Sequence, residues 1–180
     1  MEPPGVPTDR LDGWRNVAET TERPFSAGPI SVTAGTVRYE RTTGDPPHPF
    51  FFASRLRIRP PTAPNPALTR LVERQARAGF SDRLAGRDIE AVDHGETREI
   101  AVDDLRASRA TLSTFRGTCR VEDGGVTTTT PVEALLAVWE AGEYLLAGGA
   151  YSLRGDPERD RRELLGLIRG TRPPERAENV

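Results

Sequence analysis

The chain has 180 residues, the length of one ordinary domain. Leu, Ile, Val and Phe together number 38, about 21% of the chain, against a net charge of only −2, so the chain folds around a modest core and does not read as disordered. All 25 basic residues are arginine, with a single cysteine and two histidines. These counts exclude lysine Schiff-base chemistry, a pyridoxal phosphate anchor, an internal disulfide and a structural zinc site of four Cys or His ligands.

Residues 1–13 and 171–180 are rich in proline or polar residues and read as frayed tails around a single domain at 14–170. Strands are expected at about 14–26, 29–41 and 50–59. In the third, Phe50, Phe52, Leu56 and Ile58 share one face, and Arg55, Arg57 and Arg59 share the other. In the second, the apolar alternation changes phase between Ile30 and Val32 on one side and Val37 and Tyr39 on the other, which predicts a bulge at Gly35. Asn65 followed by Pro66 is an N-cap with proline at the first helical position. The helix it opens carries an inner stripe of Leu68, Leu71, Val72, Gln75 and Ala76, an outer stripe of Arg70, Arg74 and Arg77, and a left-handed stop at Gly79; a short further turn is expected at 81–85.

From Asp88 the period returns to two. Strands at 88–93 and 96–103 are expected to meet in a hairpin across His94-Gly95, followed by a strand at about 107–121, a turn at Asp123-Gly124-Gly125 and a strand at about 131–140. The segments Val132–Trp139 and Tyr144–Leu153 are apolar on both faces, as in strands covered from both sides. Asp156-Pro157-Glu158 opens a final helix with Leu164, Leu165 and Ile168 on its buried stripe and Gly170 at its end.

The order of strands, helix, strands, helix implies an α+β domain, a mostly antiparallel sheet with helices packed on it. This order, with an N-terminal hairpin, a third strand, a Pro-bounded helix and two apolar strands before the last helix, resembles the PsbP/Mog1 family of α/β/α sandwiches over about 14–170. The resemblance implies an accessory or binding role, generally without catalysis, toward protein partners or assemblies. It rests on no signature motif, so it assigns no functional residue.

Chemical motifs are sparse. Cys119 shares its strand face with Phe115, Gly117 and Val121 and reads as a small buried thiol. His94 lies in a polar turn, His48 in a proline-flanked loop, and Ser54, Ser81 and Ser152 lack a G-x-S-x-G elbow. Asp103 and Asp104 are adjacent on a strand and point apart, Glu133 and Glu140 differ in parity, and such carboxylates read as ion-paired or solvated. Gly148-Gly149 inside an apolar strand marks close packing or a bulge. No metal ligand set and no cofactor motif is recognisable.

The concentrated feature is arginine. Arg55, Arg57 and Arg59 form a candidate contact surface for an acidic protein or a small anionic ligand. Twenty-seven acidic residues and a pI near 5.8 argue against nucleic acid. The start of the chain has neither a basic nor an apolar leader region and no apolar run approaches membrane-spanning length, so a cytoplasmic protein without a membrane segment is expected. The leading expectation is a non-enzymatic binding domain. The alternatives are a small hydrolase or isomerase with a pocket formed only on folding, and an oligomer-forming module with an apolar patch around Phe51.

Overall fold

The structure is a computed structural model that describes residues 1–107 and 109–175. Seven strands are present: β1 (Trp14–Ala27), β2 (Ile30–Arg41), β3 (Phe50–Arg59), β4 (Ile89–Ile100), β5 (Ala110–Asp123), β6 (Val126–Glu140) and β7 (Tyr144–Ser152). They form one sheet in the order β1-β2-β3-β7-β6-β5-β4, with every neighbouring pair antiparallel. Helix α1 (Pro66–Ala85) connects β3 to β4, and α2 (Pro157–Gly170) follows β7. The fold is therefore α+β.

The two helices cover opposite faces. Leu68, Val72, Phe80 and Leu84 of α1 pack on Phe50, Phe52, Leu56, Leu136 and Phe115, whereas Leu164, Leu167 and Ile168 of α2 pack on Phe51, Leu135, Leu145 and Trp139. Consecutive residues of a strand alternate between these cores, which is why Phe50-Phe51-Phe52 is buried throughout and why β6 and β7 lack a polar face over most of 132–151. Both helices start where expected. Asn65 Oδ1 accepts from the Leu68 amide at 3.0 Å, and Asp156 Oδ1 from the Arg159 amide at 3.1 Å.

Five expectations need correction. There is no bulge at Gly35: the β2–β3 register is continuous, and the phase change arises because Ile30, Val32 and Ala34 enter the α1 core while Val37 and Tyr39 enter the α2 core. Gly35 instead makes room for chain crossing above it, since a Cβ there would lie 2.7 Å from the Met1 carbonyl oxygen. Helix α1 does not stop at Gly79 but runs through it to Ala85, with its C-cap at Gly86 in the ordinary right-handed region. No hairpin forms at His94-Gly95, because Gly95 lacks the positive φ that a two-residue turn needs; 89–100 is one bulged edge strand on β5. On α2 the buried stripe is Leu164, Leu167 and Ile168, with Leu165 at its margin.

The fifth concerns the chain ends. Gly5 and Arg172 exchange two backbone hydrogen bonds at 2.9 and 3.0 Å, Val6 and Leu11 join the α2 core, and Pro7 packs where a Cβ on Gly170 would otherwise sit. A proline-rich stretch is extended rather than loose here because apolar anchors hold it along α2. Thr171 is fully buried, and 176–180 lie outside the described residues. So does position 108, within the strand expected at 107–121; pairing begins at Ala110.

Candidate functional site

A cleft of about 230 Å³ opens on the α1 face, between that helix and the β1–β2–β3 side of the sheet. Phe52, Leu56, Ala34 and Leu146 form its floor, Phe25 and Pro24 of β1 one wall, and Val72, Ala76, Gly79 and Phe80 of α1 the other. The helix residues facing it, Val72, Gln75, Ala76, Gly79, Phe80 and Arg83, recur at the spacing of one helical face. On that face Gly79 is an expensive choice, since glycine in a helix interior costs about 1 kcal/mol relative to alanine. A Cβ on Gly79 would meet no atom within 4 Å, so no steric contact calls for glycine there, and its missing side chain widens the cleft.

Two polar features punctuate the apolar lining. The Thr36 and Ser54 hydroxyls, opposite each other on β2 and β3, hydrogen-bond at 2.7 Å and are both buried. Because one O–H is used between them, the pair retains one further donor. At the end of the cleft the Arg83 guanidinium lies over the Phe52 ring, 4.6 Å from its centre, and Arg38 stands beside Phe52 in the β2–β3 register. One strand position on, Arg87 lies 3.9 Å over Phe50 and pairs with Glu40 at 2.6 Å. Among the described residues, Arg38 and Arg83 form no ion pair and donate no side-chain hydrogen bond, and Arg38 Nε is buried without a partner. Burial pulls the Arg83 guanidinium below its ordinary pKa range; Glu22, across the mouth, opposes that shift, and the charges of Arg38 and Arg87 add to it.

This chemistry suits retention of a small molecule with an apolar body. The ionisable groups among the lining residues are Glu22 and Arg83, and neither an imidazole nor a thiol lines the cleft.

A family model described as a domain of unknown function, DUF6517, matches residues 3–172. The chain belongs to the DUF6517 family. No curated protein and no solved structure matches it.

The candidate residues from the sequence lie elsewhere on this DUF6517 domain. Arg55 is held by Glu143 at 2.5 Å, whereas Arg57 and Arg59 are exposed beyond the end of the β3–β7 pairing, all three on the α2 side of β3. Arg70 and Arg74 are exposed on α1. Cys119 is buried, and that burial, followed by the charge of Asp88, pushes its thiol up in pKa. His48 and Cys119 both line a second hollow of about 170 Å³ beside Arg87, while His94 stacks on Phe115 at 5.0 Å. Phe51 is wholly buried and supplies no surface patch. Among the described residues no three His, Cys, Asp or Glu side chains gather as metal ligands would, and no helix is long and apolar enough to cross a membrane.

Sequence reasoning passed over Arg38 and Arg83 and read Gly79 as a helix stop. A signal was present: continued past Gly79, the face begun by Val72 and Ala76 runs on to Gly79 and Arg83, a helical stripe that ends in glycine and arginine where a packed core would call for Leu or Ile.

Proposed function

We propose that this DUF6517 protein is a non-enzymatic binding domain whose ligand is a small molecule with an apolar body, taken into the cleft between α1 and β1–β3. The observation that carries the reading is the open space in front of Gly79 within a mostly apolar lining. Its volume sets the ligand's size. An apolar cavity of about 150 Å³ accepts benzene, so about 230 Å³ suits one ring with a short substituent or a compact branched chain. The element order resembles that of PsbP/Mog1 proteins, a resemblance that implies binding and accessory roles and is in keeping with this reading. Arg57 and Arg59 remain a proposed second contact surface for an acidic partner.

Calorimetric titration with benzyl alcohol tests this. The wild-type protein binds it, and Gly79→Leu, whose Cβ meets no atom within 4 Å and whose isobutyl group occupies the cleft from the helix side, abolishes binding while retaining the fold. Equal binding by wild type and Gly79→Leu would place the ligand elsewhere and overturn the reading.

A further inference from the structure

Resting on that reading, we propose that the ligand is a monoanion, specifically a carboxylate, whose charged end is gripped by Arg83 with Arg38 behind it while its apolar body fills the cleft. The argument begins with charge. Arg38, Arg83 and Arg87 converge around Phe52 and Phe50; Arg87 is held by Glu40, and Glu22 stands across the cleft mouth. Neither Arg38 nor Arg83 has an ion-pair partner among the described residues, so their charges meet no carboxylate directly. A half-buried guanidinium crowded by two others is unfavourable unless an anion joins it.

Geometry points the same way. A guanidinium stacked on an aromatic ring has its face occupied and its N–H donors free in the plane of the group, where a carboxylate is received by two parallel hydrogen bonds. Arg83 lies over the Phe52 ring, 4.6 Å from its centre, at the end of an apolar cleft, with none of its side-chain donors engaged among the described residues. The remaining O–H of the Thr36–Ser54 pair offers a second polar point on the floor. Glu22 at the mouth disfavours a dianion, so a carboxylate is preferred to a phosphate monoester.

The test compares benzoate, benzyl alcohol, benzylamine and phenyl phosphate against wild type, Arg83→Gln and Arg83→Lys, each variant first checked for native circular dichroism. Benzoate is expected to bind wild type about tenfold or more tightly than benzyl alcohol, the scale of a charge-assisted hydrogen bond. Arg83→Gln lowers the affinity for benzoate far more than that for benzyl alcohol and so removes the difference between them, and Arg83→Lys, which keeps the charge without the planar fork, recovers part of it. Benzylamine binds most weakly. If benzoate binds no tighter than benzyl alcohol, or keeps its advantage in Arg83→Gln, the carboxylate assignment is overturned while the cleft reading stands. Tighter binding of phenyl phosphate than of benzoate overturns the monoanion assignment. Failure of all four to bind overturns the cleft reading and this proposal together.

Discussion

The Tyr151 hydroxyl donates to the Glu133 carboxylate directly across the β6–β7 pairing, with both side chains almost wholly buried. Arg161 of α2 donates to the same carboxylate oxygen, and Arg116 of β5 reaches the other at 3.3 Å. One acidic side chain on the sheet thereby ties α2 to two neighbouring strands. Glu133→Gln removes the charge and leaves Arg161 beside a neutral amide. Because Arg161 still reaches solvent, a loss of about 2 kcal/mol is expected rather than the larger cost of a fully buried pair. Urea denaturation of wild type and variant measures it, and an unchanged midpoint would contradict the role.

The same cluster makes a pH prediction. Burial, and next the hydrogen bond to Glu133, push the Tyr151 phenol well above its ordinary value of 10.0. The folded state therefore holds this proton at pH values where the unfolded chain has released it. That contribution to stability is fully present below about pH 10 and declines as pH rises above it. Absorbance titration of tyrosinate should show Tyr151 ionising only as the protein unfolds, and Tyr151→Phe should flatten the alkaline loss of stability.

Thr36 and Ser54 satisfy each other, so removing one exposes the other's need. Thr36→Val or Ser54→Ala alone is expected to cost about 1 kcal/mol, whereas the double variant costs less than the two singles added, because no buried hydroxyl is left unpaired. A thermodynamic cycle from chemical denaturation supplies the coupling; strict additivity would mean that the pair is not a unit.

Gly149 of β7 sits against the Phe50 carbonyl of β3, and a Cβ on it would also press on Leu164 of α2. Gly149→Ala is expected to destabilise by about 3 kcal/mol, since backbone on the sheet side cannot yield as a flexible side chain does. Gly79→Ala, with open space before it, is expected to stabilise by up to about 1 kcal/mol. Thermal melts of the two variants check the opposite signs.

Much of the fold was legible because its markers are local. Asn65-Pro66 and Asp156-Pro157 announce helix starts, Gly124-Gly125 of the expected turn falls between β5 and β6, and the two-sided apolarity of 132–153 identified the centre of the sheet. What misled was local evidence with two meanings. A phase change in β2 is the signature of a bulge and also of a strand shared between two cores. Gly79 looks like a helix stop when nothing reveals a cavity in front of it. The site was less legible still: the arginine row of β3 is conspicuous in sequence, while Arg38 and Arg83 lie 45 positions apart and come near the same ring only because β2 pairs with β3 and α1 folds back over Phe52.

The most direct test of the cleft is methyl nuclear magnetic resonance of the wild-type protein titrated with benzoate. The account predicts that the signals that shift are those of Leu56, Val72, Ala76 and Leu146, which line the cleft, while Leu167 and Ile168 in the core under α2 stay still. Shifts confined to the neighbourhood of Arg57 and Arg59, or to the α2 core, would contradict it.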